Sequence, residues 1–214
     1  ESPIREKLLA APASVLASIA PVLSRADLAM VNLETAVTDR GQPASKAYVF
    51  RAPRSAFAAL KSGGVDVASI ANNHGMDFGR TGLRDTLAAG RSAGVPVVGG
   101  GWNATQAYAP YRRTIGEQRI AIIAATQVLD DDLVSEWTAG PGTMGLASAK
   151  DEPRLLRAVR EARRTSDTVV VYLHWGLELA TCPTGTQTTL ADRLVAAGAD
   201  VVVGSHAHIE HGPG

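Results

Sequence analysis

The chain has 214 residues, 45% hydrophobic and 20% charged, with 21 basic and 21 acidic side chains. That balance is ordinary for a globular protein, and zero net charge offers no basic excess for nucleic acid or an anionic membrane surface. One cysteine, Cys182, excludes an internal disulfide and a thiolate zinc cluster, and no apolar run reaches the roughly 18 residues of a membrane-crossing helix.

The opening Glu1-Ser2-Pro3-Ile4-Arg5 has no basic-then-apolar signal pattern. Ser14 to Arg25 reads as a helix that Pro21 must shorten or kink. Leu28 to Val31 is a short apolar strand running into Asn32-Leu33-Glu34. Ser55 to Ser62 is a helix stopped by Gly63-Gly64, and Val65 to Ala71 is a strand. Thr81 to Ser92 is a helix closed by Gly94, followed by the strand Val95 to Val98. Tyr111 to Ile115 and Arg119 to Ala125 read as a hairpin across Gly116-Glu117-Gln118. Thr126 to Lys150 is polar and longer than a usual connection, the signature of a lid or binding loop. A basic-faced helix from Glu152 to Thr165 precedes the strand Thr168 to Leu173, the helix Thr188 to Ala197 and the strand Asp200 to Val203. Strands alternating with helices predict an α/β domain with largely parallel pairing, one domain over residues 1–214.

The histidines fall where such a domain keeps its sites. His74 follows the Val65 strand, His174 ends the Thr168 strand, and His206, His208 and His211 follow Val201-Val202-Val203-Gly204. Glu34 likewise follows a strand. Ligand sites of parallel sheets lie beyond the carboxyl ends of strands. Taken singly, each residue has an ordinary explanation: a loop histidine, Asn72 and Asn73 as turn formers, Asp77 as a helix cap. The joint placement, with no histidine on any predicted helix, is what a site explains. Histidine, carboxylate and amide oxygen without thiolate is a ligand set for a hydrolytic metal centre, suiting Zn, Fe, Mn or Ni. Gly99-Gly100-Gly101-Trp102-Asn103-Ala104 formally matches a dinucleotide-binding fingerprint. Pro110 interrupts the helix that should follow, and Glu117 lies in a turn, so nucleotide binding is set aside.

Several stretches together carry a family resemblance. They are Asn32-Leu33-Glu34-Thr35, Tyr48-Val49-Phe50-Arg51-Ala52-Pro53, Ala71-Asn72-Asn73-His74 with Asp77-Phe78-Gly79, His174-Trp175-Gly176-Leu177-Glu178, and Gly198 to His208. In that order they resemble the CapA family of bacterial poly-γ-glutamate capsule synthesis, whose fold is similar to calcineurin-like metallophosphatases. The resemblance implies an αββα sandwich of the metallo-dependent phosphatase type, here truncated at both ends, with up to two divalent metals (Mn, Fe or Zn). It gives Glu34 the part of the bridging acid. Asn73, His174 and His206 would hold one metal and His208 the other. His74 would be the catalytic or transition-state-stabilising histidine, oriented by Asp77. An opening strand ending Gly-Asp, which the family uses for further ligands, has no counterpart before Glu34. The position at His208 is thereby left with few ligands.

The function expected from this resemblance is a metal-dependent hydrolase of capsule synthesis or processing, acting on a phosphate ester or a γ-glutamyl amide. The alternative is a non-enzymatic accessory protein that holds an anionic polymer or a synthase complex in a vestigial metal cleft. Expected partners are the polymer or ester, the synthase and a second copy through exposed sheet edges, with no nucleic acid. The expected place is the extracytoplasmic face of the bacterial membrane or the cell surface, with the cytoplasm as the alternative.

Overall fold

The computed structural model describes residues 3–211. Its contacts gather into two compact units, one comprising the residues up to Ile70 with His74–Val97, the other Ala71–Asn73 with the chain from Val98 onward.

The first unit opens with helix α1 (Pro3–Ala10), which starts on a proline and buries Leu8. The single helix expected from Ser14 to Arg25 does not form. A 3₁₀ turn at Pro12–Ser14 leads instead to a four-residue helix, α2 (Ala20–Leu23). Pro21 is the reason: lacking an N–H it is tolerated only in a first turn, so the helix restarts around it. Strand β1 (Met30–Asn32) lies two residues later than the expected Leu28 start. Strands β2 (Ala36–Val37) and β3 (Arg51–Ala52) pair in parallel. Helix α3 (Ser55–Ser62) buries Ala56, Phe57 and Ala59 and delivers the chain to β4 (Val67–Ser69). Strand β1 runs parallel to β4, with Met30 opposite Val67 and Asn32 opposite Ser69. Helix α4 (Gly79–Ala93) turns Leu83, Thr86 and Ala89 inward and stops at Gly94, whose φ of +66° is the left-handed cap a glycine adopts most cheaply. Strand β5 (Val97–Val98) completes the order β1-β4-β5.

The second unit is built on a four-stranded sheet. After β6 (Gly100–Gly101) and the short helix α5 (Ala104–Ala107), the hairpin β7 (Tyr111–Ile115) and β8 (Gln118–Thr126) forms as its pattern predicts, Ile115 facing Gln118. The segment expected to be a polar lid is built structure. It holds helix α6 (Val134–Trp137) and strand β9 (Gly145–Leu146), which pairs antiparallel with β6. Trp137, Met144, Leu146 and Ala147 are buried, so its few apolar residues anchor it while Asp130 to Asp132 face outward. Helix α7 (Glu152–Arg163) is capped by Asp151, and β10 (Thr168–His174) follows. Helix α8 (Gly185–Ala197) starts on a reciprocal Thr184–Gln187 capping box and leads to β11 (Val201–Ser205).

The sheet order is β11-β10-β8-β7, with β10 parallel to both neighbours. Val169, Val171 and Leu173 alternate inward from β10 against Leu155, Val159 and Leu194 of the two long helices. β11 is the outer strand, and Val201 and Val203 on it are exposed. The glycines of the rejected nucleotide fingerprint answer to packing. A Cβ on Gly99 (φ +82°) would lie 2.4 Å from that of Ala71, and one on Gly101 2.7 Å from the Ala107 nitrogen. The α/β class expected from the sequence is the class the chain builds.

Candidate metal centre

In the second unit, parallel pairing of β10 with β11 sets Leu173 opposite Gly204 and His174 opposite Ser205, so the two strands end together. His174 is the last residue of β10 and fully buried. Its Nε2 lies 2.9 Å from Asn73 Oδ1 and its Nδ1 3.1 Å from Ser205 Oγ. Without a cation, Nε2–H donates to the amide oxygen and the hydroxyl donates to Nδ1. A hydroxyl also accepts, so the ring can take the other tautomer and offer the Nε2 lone pair to a cation that Asn73 Oδ1 would share. Metal bonds of about 2.0–2.2 Å at a right angle place two donor atoms about 3 Å apart, the separation found here.

The chain leaving β11 brings the next two histidines. The His206 ring centre lies 4.7 Å from that of His174, tilted by 54°. The His206 and His208 rings are 5.9 Å apart, with ligating nitrogens within 4.8 Å of each other. His208 is exposed, and its Nε2 is 3.9 Å from Glu178 Oε1. Two backbone hydrogen bonds tie this loop to the one after β10: Trp175 N–H to the Ser205 carbonyl (3.1 Å) and Leu179 N–H to the Ala207 carbonyl (2.8 Å). Gly204 admits the Trp175 indole; a Cβ there would be 2.5 Å from its nitrogen. Amide oxygen and imidazole suit a borderline divalent cation, so the donors present fit the metal that the sequence implies.

In the first unit, His74 and Asp77 form a buried pair. Asp77 does not cap α4, which begins after Phe78 with no side-chain cap. Its carboxylate instead accepts from His74 Nδ1 at 2.6 Å, from the Phe50 N–H at 2.6 Å, and from Lys46 Nζ at 3.1 Å. Since a carboxylate only accepts, His74 carries its proton on Nδ1, which in the neutral ring leaves Nε2 as the basic nitrogen. The Phe50 ring stacks on the imidazole at 3.9 Å between centres and fixes its plane. Glu34, just beyond β1, accepts from Asn32 Nδ2 at 2.7 Å. It borders a cavity of about 710 Å³ together with Leu33, Phe50, Ala56 and Leu60.

Asn73, His174, His206 and His208 therefore gather in one unit, while Glu34, His74 and Asp77 belong to the other. Sequence reasoning missed Lys46, the stacking role of Phe50, Ser205 and Glu178. Phe50, Ser205 and Glu178 lie in the family-like stretches, and the β10–β11 register sets Ser205 beside His174. Lys46 had no signal.

A model of the family described as bacterial capsule synthesis protein PGA_cap matches residues 2–212. The PGA biosynthesis protein CapA of Bacillus subtilis (strain 168) is 30% identical over 199 residues, covering 92% of this chain and 51% of that protein. A Mycobacterium tuberculosis protein named "probable polyglutamine synthesis accessory protein" is 30% identical over 194 residues, 87% of this chain and 50% of that one. The chain thus spans about half the length of the curated relatives it matches. A hypothetical protein from Thermus thermophilus shares the fold, with a TM-score of 0.51 at 20% identity over 91% of this chain and 64% of that one.

Proposed function

The chain belongs to the bacterial capsule synthesis protein family, and we propose that it acts as a metal-dependent hydrolase of an anionic capsule polymer or its phosphate-ester precursor. The observation that carries this reading is the convergence of the Asn73 oxygen and the His174 nitrogen, 2.9 Å apart, with the His206 ring alongside. In this reading Asn73, His174 and His206 hold a divalent cation, and Glu34 is the acid that the family resemblance adds. A bound divalent metal supplies Lewis-acid polarisation and an activated water. The chain's own chemistry is to hold and move a proton. Asp77 keeps the proton on His74 Nδ1, Phe50 fixes the ring, and protonated Nε2 delivers a proton to the leaving group. For such a role the extracytoplasmic face of the bacterial membrane or the cell surface is the location we propose, with the cytoplasm as the alternative.

Metal content and turnover, measured together on the whole protein with aryl phosphates and poly-γ-glutamate, test the proposal. His174→Ala should lose metal and activity together. His74→Ala should keep its metal and lose about 10²–10⁴-fold in turnover, the usual contribution of a general acid. Glu34→Gln, by its metal content alone, tests that assignment. Equal metal loss in His74→Ala and His174→Ala would make His74 a ligand. A metal-loaded protein with no turnover would favour the accessory reading, which the name of the mycobacterial relative suggests.

A further inference from the structure

Among the described residues, three that are not glycine have a positive φ: Leu179 (+59°), His206 (+97°) and His208 (+54°). All three lie in the paired loops beyond β10 and β11. L residues avoid this region, and where they hold it the surroundings must impose it, a feature that clusters at ligand sites. Here the Leu179 N–H to Ala207 carbonyl bond holds both turns in place, and the strained backbone sets Glu178 opposite His208.

The pair does not explain its own geometry. At 3.9 Å between Nε2 and Oε1 it is too long for a hydrogen bond, and both side chains are more than half exposed. Such a surface ion pair adds little stability. The distance does suit two donors on one ion: with bonds of about 2.0–2.2 Å, ligands at a wide angle lie up to about 4 Å apart. We propose that Glu178 is a cation ligand, binding together with His208 a divalent ion next to the one assigned to Asn73, His174 and His206. This rests on the metal-centre reading and adds to it a further ligand at the His208 position.

Titration of the metal-free whole protein with Mn²⁺, followed by calorimetry, tests the proposal. The wild type should bind a tighter and a weaker equivalent. Glu178→Gln should weaken one equivalent at least tenfold and leave the other unchanged. His208→Ala should weaken the same equivalent, and the double variant should lose little more than either single one. Glutamine still accepts a hydrogen bond from an imidazole, so wild-type affinity in Glu178→Gln would reduce Glu178 to a partner of His208 and overturn the proposal. A wild type that binds one equivalent, unaffected by Glu178→Gln, also overturns it while leaving the metal-centre reading intact. A wild type that binds no cation removes both. Glu178 is exposed, so an unchanged melting temperature shows that each variant is folded.

Discussion

Replacing Asp77 with alanine should damage the fold as well as the chemistry. The Asp77 side chain is fully buried and that of Lys46 only 9% exposed. Removing the carboxylate takes from the Lys46 ammonium the acid 3.1 Å away and takes the acceptor from the Phe50 N–H. Deleting one partner of a buried ion pair costs about 3–5 kcal/mol, because the remaining charge keeps its desolvation penalty. For a chain of this size each kcal/mol moves the melting temperature by about 2–4 °C, so Asp77→Ala should melt roughly 6–20 °C below the wild type. Lys46→Met made in the same background removes the charge that Asp77 opposes and should recover part of that loss. Thermal and urea unfolding of the wild type, the two single variants and the double variant give the coupling directly. A single variant within about 1 kcal/mol of the wild type, or a double variant whose losses simply add, would refute the claim that Lys46 depends on Asp77.

Acid should expose a second carboxylate. Asp85 is held below the usual carboxylate range chiefly by the hydrogen bond from Arg40, helped by Thr38 and by the Arg40 charge. A depressed folded-state pKa gives stability that is fully present above the unfolded value of about 3.9 and is lost as pH falls through the folded value. The gap in unfolding midpoint between the wild type and Asp85→Asn should therefore shrink below about pH 4; a gap independent of pH would disprove the linkage. Two glycines with positive φ should also separate. Gly94→Ala meets no atom within 4 Å and should cost only the left-handed backbone penalty, about 1–2 kcal/mol. Gly99→Ala adds the collision with Ala71 and should unfold at clearly lower urea; equal midpoints would show that the packing there can yield.

The sequence made the long elements of the second unit legible because their patterns are local. The β8 and β10 strands are apolar runs bounded by turn residues, and α7 and α8 carry their own caps. It failed where a single residue or a distant partner decides. Pro21 broke a helix that its neighbours favour, and the polar stretch after Thr126 was ordered by buried apolar side chains scattered through it. The same division runs through the candidate site. Histidines at strand ends are visible in the sequence. Only the register of β10 with β11 shows that Ser205 can set the tautomer of His174, and only the fold shows that Asp77 is shared by His74, Lys46 and the Phe50 backbone.

The two polar clusters are built by opposite means, and this should separate their phenotypes. Asp77 is held in the interior by hydrogen bonds and ion pairs of 2.6–3.1 Å, so the chemistry of His74 and the stability of its unit share residues. Around His206 and His208 the backbone is held in disfavoured conformations costing of order 1–3 kcal/mol each. The Glu178 carboxylate, 3.9 Å from His208, stands too far off to offset them. A bound cation would offset that strain, because any ligand that binds only the folded state stabilises it in proportion to its occupancy. The His206–His208 loop should therefore gain stability on adding metal, while an Asp77 lesion deprives Lys46 of a carboxylate that metal cannot replace. Melting temperatures with and without Mn²⁺ make the distinction: His174→Ala should lose the metal-induced rise, and Asp77→Ala should keep it from a lower baseline.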